Sequence, residues 1–334
     1  MIETSLGKIT LSNTHPIACH ESGFKMSPFL LEKVSYVGQL NVYEKSSEVL
    51  ASLLGYKTSS VQVNKVVNYY GNVCSQQEHL LQPVIKNTGT AETFYLMIDG
   101  SMIFTREEGW KEVKVARLFK ASDCLDITGK PNQIRSSQYL AQITDSKNFT
   151  AALDILMANY KIKPEQLIIV SDGAKWIKNY AADSFEKATS ILDYYHAVEY
   201  LHQFKDTVFA DKIEAKKWAE KQCNLLLESG VKTVLKNIEK IALINDCEKE
   251  ATTIINYYTD NINRMDYKYY KTIGAGLIGS GAIESAHRTL VQSRCKLSGQ
   301  VWSINGLQNM LNLRTVYLNK DAKRIRTIAN KIAA

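Results

Sequence analysis

The chain has 334 residues, 45% of them hydrophobic and 22% charged, and a formal net charge of +7. Such a composition predicts a globular protein with a sizeable core and more than one structural unit. No apolar run reaches the roughly 18 residues of a membrane span, and the N-terminus has neither the basic region nor the apolar core of a signal peptide. The six cysteines are scattered without a CxxC pair, which excludes a zinc knuckle and favours reduced thiols. We therefore expect a cytoplasmic protein without a membrane partner.

Positive charge is concentrated at the C-terminal end. Residues 285–334 carry nine basic side chains and one acidic side chain, a balance of +8, whereas the rest of the chain sums to about −1. The basic residues are Arg288, Arg294, Lys296, Arg314, Lys320, Lys323, Arg324, Arg326 and Lys331. A basic end on a near-neutral body is typical of a protein that binds a polyanion, because Lys and Arg neutralise phosphates and release counterions. The alternative is a solvated basic tail.

Helical spacing of apolar residues begins after an unpatterned stretch at residues 1–26. Residues 27–81 contain three helical segments. A Gly-containing turn joins the second segment to the third, with Thr58 or Ser59 as the N-cap of the third. This layout is typical of a helix-turn-helix, and the alternative is a helical hairpin that serves only packing. In the second segment one buried face is predicted from the spacing of Leu50, Leu53 and Leu54.

After a predicted linker at residues 82–92, the pattern changes to that of strands. TFYLMIDGSMIF is a nearly continuous apolar run, as expected for a strand buried on both faces, and WKEVKVARLFKASD and SSQYLAQIT follow as further strands. A helix (SKNFTAALDILMANY), a strand at 167–170, a helix at 174–187 and a strand (TSILDYYH) complete the series. Three adjacent strands followed by two helix–strand units predict an α/β fold with a mixed five-stranded sheet flanked by helices.

Residues 196–270 show only helical periodicity. A stretch of this length is too long for a connection inside a compact domain and is interpreted as an all-helical insertion. A glycine-rich segment and basic helices follow. The predicted regions are an N-terminal helical domain (1–81), the first part of the α/β core (92–195), the insertion (196–273) and the end of the core (274–334).

The glycine-rich segment GAGLIGSGAIESAHRTL fits the pattern of a dinucleotide-binding turn at Gly274, Gly276 and Gly279. Its context does not fit, because the preceding segment is polar and Lys296 stands about 20 residues on, where a ribose-binding acid is expected. We therefore exclude a nicotinamide cofactor. The glycines are interpreted as a flexible hinge that returns the chain from the insertion to the sheet.

Two carboxylates lie at the ends of the most apolar strands. Asp99 interrupts the first strand and Asp172 follows the fourth, and each costs several kcal/mol to bury unless something pairs with it. Both have a structural alternative. Asp99-Gly100 also fits a type I′ hairpin turn, and Asp172-Gly173 also fits a helix N-cap.

Glu284 adds a third acid at the start of a predicted helix. It recurs at a spacing of four with Arg288 and Gln292, so one helix face presents an acid and two donors. Three convergent carboxylates suit two Mg²⁺ ions, which take oxygen ligands and clamp both sides of a phosphoryl displacement. The alternative is a surface salt bridge between Glu284 and Arg288. The positions predicted to face the core are Ile283, Leu290 and Leu297.

Four blocks carry a resemblance to a known family: MIDGS with a following WKEVKVA, then VSDGAKWI, ILDYYHAVEYL, and GSGAIESAHRTLVQSRCKLSGQVWS. They resemble the blocks of DDE-type transposases of bacterial insertion sequences, closest to the Kra-type group, within the RNase H-like superfamily. The resemblance spans residues 27–317, and the last block is its most specific part. Members of this group often have a longer N-terminal part with metal-binding cysteines, whereas here Cys19 alone precedes residue 27.

The resemblance implies an RNase H-like sheet of three antiparallel strands followed by alternating helices and strands, with a helical insertion before the last acid. It implies that Asp99, Asp172 and Glu284 are catalytic and hold two Mg²⁺ ions, for which Mn²⁺ can substitute. Secondary active-site candidates are Asp193, His196 and His287, with packing at a strand end as the alternative for the first two. The last block assigns DNA contacts to Arg288, Arg294, Lys296 and Trp302.

The function implied by the resemblance is that of a Mg²⁺-dependent DNA transposase of a mobile element. Such an enzyme cleaves DNA at the terminal inverted repeats of the element and joins a 3′-hydroxyl to target DNA. Its partners are double-stranded DNA and further copies of the chain, and it works at the bacterial nucleoid. The alternative is a truncated or domesticated derivative that binds DNA without transposing it.

Overall fold

The computed structural model describes residues 2–4, 7–12, 15, 22–76, 92–125, 133–321 and 323–332. Cys19 and the predicted linker, except for its last residue, lie outside the described residues. Near the N-terminus, β1 (Ile2–Thr4) and β2 (Gly7–Ile9) pair antiparallel, which the sequence pattern did not predict.

Three helices follow, as predicted: α1 (Pro28–Leu40), α2 (Tyr43–Leu54) and α3 (Ser60–Gln76). Gly55 ends α2 with a φ of 63°, and Ser59 Oγ accepts a hydrogen bond from the Gln62 amide at the start of α3, as its predicted capping role requires. The predicted leucine face of α2 is wrong in part. Leu50 is buried, but Leu53 and Leu54 are 74% and 46% exposed, because α2 packs on its neighbours through the narrow stripe of Ser46 and Leu50.

The strands of the core form one mixed sheet with the order β7-β4-β3-β8-β9. The strands β3, β4 and β7 pair antiparallel, whereas β8 and β9 run parallel to β3. The predicted mixed five-stranded sheet is therefore confirmed. The strand bounds are β3 (Phe94–Thr105), β4 (Gly109–Lys120), β5 (Cys124–Leu125), β6 (Gln133–Ile134), β7 (Gln138–Gln142), β8 (Leu167–Ser171) and β9 (Thr189–Leu192).

The hairpin between β3 and β4 turns at residues 106–108 rather than at Asp99-Gly100. Asp99 pairs with Val115 and Gly100 with Lys114 inside the ladder. The type I′ turn that was an alternative for these two residues is therefore wrong. Asp99 is a carboxylate within a strand.

Side chains of β3 alternate between two cores, as the two-residue period of a strand requires. Phe94, Leu96 and Ile98 pack against α4 (Ser146–Tyr160) and α5 (Lys175–Ser184). Tyr95 and Met97 belong to the larger core on the other face, which also contains apolar residues of the N-terminal and C-terminal helices. The central strand is buried on both faces, as its apolar run predicted.

Helices alone follow the sheet up to residue 270 in the structure, as predicted for this region. The predicted last strand, TSILDYYH, ends earlier, at Leu192, because Asp193 caps the first of these helices. Gly230, with a φ of 82°, separates the second helix from the third. The helices are α6 (Tyr194–Val208), α7 (Lys212–Glu228), α8 (Val231–Ile244), α9 (Glu248–Asp260) and α10 (Tyr267–Tyr270).

The chain then returns to the sheet as one interrupted helix, in which α11 (Gly281–Ala286) continues through a π-helical turn (His287–Gln292) into α12 (Ser293–Cys295). The last helices are α13 (Ile304–Leu318), which packs along α3, and α14 (Arg324–Ile332), which packs along α1. Among the helices described, none is long and apolar enough to cross a bilayer.

Candidate active site at the carboxyl ends of the parallel strands

Three aspartates lie side by side where the parallel pairing of β3, β8 and β9 ends; Asp172 and Asp193 follow their strands, whereas β3 continues beyond Asp99. In the strand register, Ile98 of β3 lies beside Ser171 of β8, which lies beside Leu192 of β9. The next residue in each chain segment is an acid: Asp99, Asp172 and Asp193. The carboxyl ends of parallel strands are where α/β proteins gather functional side chains.

Asp99 is the acid whose ionisation the fold alters most clearly. Burial raises the pKa of Asp99 from 3.8 to about 6, the Gly100 amide opposes this by donating to Oδ1, and the negative charge of Asp172 adds to the rise. The two acids are neighbours at this edge of the sheet, because each comes directly after one member of the registered pair Ile98 and Ser171.

Asp172 has part of the structural role that was the alternative for it, that of a helix N-cap. Its Oδ1 accepts a hydrogen bond of 2.9 Å from the Ala174 amide, in the turn that leads into α5. The N-cap residue of α5 is Ala174, so Asp172 orders the turn before the helix without capping it. The carboxylate remains half-buried beside the strand end.

Asp193 and His196 form a pair next to these two acids. Asp193 is fully buried and caps α6 by accepting from the Tyr195 amide, while its Oδ2 lies 3.7 Å from His196 Nε2. Burial raises the pKa of Asp193. Burial lowers the pKa of His196, but Asp193, Glu199 and Asp172 together outweigh this and the net shift is upward. Asp193 therefore serves the helix cap and also holds His196 beside the acids.

The helix that carries Glu284 faces Asp99 across an open cavity of about 370 Å³. Glu284, Arg288 and Gln292 line this cavity, so the predicted four-residue spacing on one helix face is confirmed. Glu284 Oε1 accepts a hydrogen bond of 2.7 Å from Ser280 Oγ, and Glu284 forms no ion pair with Arg288. The alternative of an intrahelical salt bridge is therefore wrong. Of the predicted core positions, Ile283 and Leu290 are buried, whereas Leu297 is exposed.

His287 lies at the start of the π-helical turn and lines the same cavity as Asp99 and Glu284. Its Nε2 is 3.3 Å from Asp99 Oδ2, but neither ring nitrogen completes a well-aligned hydrogen bond with a described residue. Burial lowers the pKa of His287 to about 4, so the ring is neutral at pH 7. A π-helical turn inserted in a helix is frequent at functional sites. Here it places His287 and Arg288 beside the acid.

The residues assigned to DNA contacts divide into two groups. Arg288 and Lys296 line the cavity, and Lys296 Nζ donates to Ser101 Oγ at 2.5 Å. Arg294 is 1% exposed and lies between the rings of Tyr43 and Trp302, at 4.9 and 5.2 Å from guanidinium carbon to ring centre. Arg294 and Trp302 thus pack against each other, and both also line an open cavity of about 430 Å³ together with Arg106. The DNA contacts implied for these two residues therefore stay a prediction.

Fewer basic side chains at the C-terminal end are available to bind a polyanion than the charge count suggested. Among the basic side chains whose burial the structure describes at this end, those of Arg294, Arg314 and Arg324 are buried. Arg326 Nε pairs with Glu32 Oε2 at 2.7 Å. The cations that remain open to a polyanion at the candidate site are Arg288 and Lys296.

Carboxylate oxygens are the ligands that Mg²⁺ prefers. Asp99 forms no ion pair with a described Lys or Arg. The donor chemistry of Asp99, Asp172 and Glu284 therefore fits a divalent cation. The positions of these three acids do not converge on one point in this structure. Within the part of the chain that the structure describes, no three His, Cys, Asp or Glu side chains are grouped closely enough to hold a metal ion.

Arg264 is a residue that the sequence pattern missed. It lies between α9 and α10, is buried, and donates to Ser171 Oγ at 2.7 Å, to Ser190 Oγ at 3.0 Å and to the Ile191 carbonyl at 3.2 Å. It thereby fixes the ends of β8 and β9, which carry Asp172 and Asp193. The signal was a lone arginine in NINRMDYKYY, and nothing local distinguishes it from a solvated one.

The fold and site define a mixed α/β protein with acids at the carboxyl ends of its parallel strands and a further acid on a late helix. The chain belongs to the uncharacterised protein family UPF0236, whose profile matches residues 31–331. No protein of curated function matches the chain.

Proposed function

We propose that the chain is a DDE-type transposase with an RNase H-like core, which cleaves DNA at the ends of a mobile element and joins them to target DNA. The observation that carries the proposal is the placement of three acids. Asp99 and Asp172 come directly after the last paired residues of two neighbouring parallel strands, and Glu284, more than a hundred residues later, shares a cavity with Asp99. The strand order adds support, because three antiparallel strands precede two helix–strand units.

In this proposal Asp99, Asp172 and Glu284 hold two Mg²⁺ ions, which when bound stabilise the charge on the phosphate and activate the attacking oxygen. His287 packs beside Asp99, with Nε2 3.3 Å from Oδ2, and limits the space open to that carboxylate. Arg288, Gln292 and Lys296 present donors on the same cavity and bind the DNA backbone there. Asp193, held by the cap of α6, positions His196 near the acids.

The test is strand cleavage by the purified chain on duplex DNA that carries the ends of the element. The proposal requires that such ends exist as inverted repeats on either side of the gene, bordered by short direct repeats. We expect Mg²⁺-dependent cleavage by the wild type and by Glu239→Gln, an exposed control on α8, and loss of cleavage in Glu284→Gln. Full activity of Glu284→Gln would overturn the proposal. End-specific binding without any metal-dependent cleavage would favour a domesticated DNA-binding derivative.

A further inference from the structure

A second, larger cavity lies beside the acid site. Its volume is about 730 Å³, within the range of roughly 300–1,000 Å³ that is usual for ligand sites. Its walls include the glycine-rich loop, the β5–β6 ribbon and α11. Tyr195 and Ser285 line it, and these residues are close in sequence to Asp193 and Glu284. A strand that passes the acids would therefore have this cavity next to it.

Arg117 contributes an uncompensated positive charge to the cavity. Its side chain is 7% exposed, Nε donates to Ser137 Oγ at 2.9 Å and Nη1 donates to the Ala282 carbonyl at 2.8 Å. The guanidinium is held over the rings of Tyr139 and Phe119. No described carboxylate pairs with Arg117, and its Nη2 donates to no described group. A buried cation without a counter-charge is costly, so this position suits an anion.

Tyr195 contributes an open aromatic face. Its ring is 61% exposed, although it lines the cavity. One side of the ring lies so close to Gly279 that a Cβ there would be 2.4 Å from Tyr195 Cε2. The ring is therefore held in place by glycine backbone on one side and by an edge contact with the Tyr194 ring, while most of its surface stays open, as is required of a platform on which a nucleobase stacks.

The glycine-rich loop forms a fixed wall of this cavity. Gly274 and Gly276 have φ values of 56° and 67°, which favour glycine. The hydroxyl of Tyr95, a core residue of β3, accepts from the Ala275 amide at 3.0 Å and from the Leu277 amide at 3.3 Å. These bonds anchor the loop to the sheet, so the segment interpreted as a hinge is a hydrogen-bonded turn.

We propose that this cavity binds one unpaired nucleotide of a DNA strand, with a phosphate on Arg117 and the base on the ring of Tyr195. The inference rests on the proposed function, because it takes the strand to be the DNA that the acids cleave. Exposed aromatic rings bind bases without regard to sequence, and a single guanidinium fixes a phosphate. The cavity holds the strand beside the acids and selects for a locally unpaired end.

The experiment measures binding of a short fluorescent single-stranded oligonucleotide to the full chain in EDTA, by anisotropy. We expect Tyr195→Ala to weaken binding by roughly 5- to 150-fold, which corresponds to the about 1–3 kcal/mol of one base–aromatic stack. Tyr195→Phe keeps the ring and is expected to bind like the wild type. Tyr269→Ala removes a tyrosine of similar exposure on α10 and serves as the control. Equal affinity of Tyr195→Ala and wild type would overturn the inference.

Arg117 is tested by the salt dependence of the same binding. Arg117→Gln is expected to reduce the slope of log affinity against log salt by about 0.7, the value for one phosphate of a single strand. An unchanged slope in a variant that melts like the wild type would overturn the phosphate assignment. If Arg117→Gln does not fold, the comparison of Tyr195→Ala with Tyr195→Phe decides whether the cavity binds a nucleotide. A free mononucleotide that competes as well as the oligonucleotide would overturn the assignment to a DNA strand.

These measurements need no metal and no cleavage. Loss of binding in Tyr195→Ala together with a wild type that never cleaves DNA would mean that the cavity is correct and the proposed activity is wrong. If the wild type cleaves DNA but Tyr195→Ala binds the oligonucleotide as tightly as the wild type, the proposed activity is correct and the assignment of the cavity is wrong.

Discussion

Asp99→Asn is expected to abolish DNA cleavage and, at the same time, to stabilise the metal-free fold. In the proposed reaction Asp99 is a metal ligand, and a bound metal supplies several kcal/mol of charge stabilisation in the transition state, so cleavage should fall by roughly 10³-fold or more. A residue that served only packing would lose activity and stability together. The two opposite changes distinguish a functional carboxylate from a structural one.

The stabilisation follows from the direction of the pKa shift. Burial, assisted by the charge of Asp172, raises the pKa of Asp99 from 3.8 to about 6. Such a group binds its proton more tightly in the folded state than in the unfolded state. It therefore does not lower the free energy of unfolding below about pH 4. The free energy of unfolding falls as the pH rises from about 4 through 6, where the group ionises in the folded state. The full shift corresponds to about 3 kcal/mol, and the partial exposure of the side chain reduces that figure.

We therefore expect metal-free Asp99→Asn to unfold in urea with a free energy roughly 1–3 kcal/mol above that of the wild type at pH 7 and equal to it near pH 4. Asp183→Asn, at an exposed aspartate of α5, is the matched control and should change neither value. A variant that is less stable than wild type at pH 7 would contradict this reading of the site.

Arg314→Met is expected to destabilise the fold by roughly 3–5 kcal/mol, the largest effect on stability that we expect from any single arginine here. Its buried guanidinium donates to the Leu290 carbonyl at 2.6 Å, to the Gln39 carbonyl at 2.6 Å and to the Thr289 carbonyl. Two of these carbonyls belong to the π-helical turn that carries His287. Removal of the guanidinium leaves them buried without a donor, and it also separates that turn from α1.

Urea unfolding measures this effect, with Lys323→Met as a control that removes an exposed positive charge from the same end of the chain. We expect the control to lie within about 0.5 kcal/mol of wild type. Equal stability of Arg314→Met and the control would show that the π-helical turn does not depend on Arg314.

The fold was predictable where the pattern of the chain is local. The nearly continuous apolar run of β3 and the helical spacing of α4 predicted the observed elements, because each pattern lies within its own segment of the chain. The position of Leu53 was not predictable, because the face that α2 buries depends on α1 and α3. The hairpin signal at Asp99-Gly100 failed because the ladder between β3 and β4 continues for several residues beyond it.

The acids of the candidate site could be predicted from the sequence, whereas the residues that hold neighbouring segments in place could not. Asp99, Asp172 and Glu284 were found because each interrupts or follows a pattern within its own segment. Arg264 and Arg117 act on groups far away in sequence, so their surroundings in the chain give no signal. The burial of Arg294 has the same origin, since Tyr43 and Trp302 come from opposite ends of the sequence.

The most direct test of the central claim, that Asp99 is a metal ligand for phosphodiester cleavage, is the metal preference of Asp99→Cys. The comparison is DNA cleavage by wild type and variant in Mg²⁺ and in Mn²⁺. A thiolate is a poor ligand for Mg²⁺ and a better one for softer divalent ions. We predict that the variant is inactive in Mg²⁺ and regains cleavage in Mn²⁺, whereas the wild type works in both. A variant as active as wild type in Mg²⁺, or inactive in both metals, would contradict the claim.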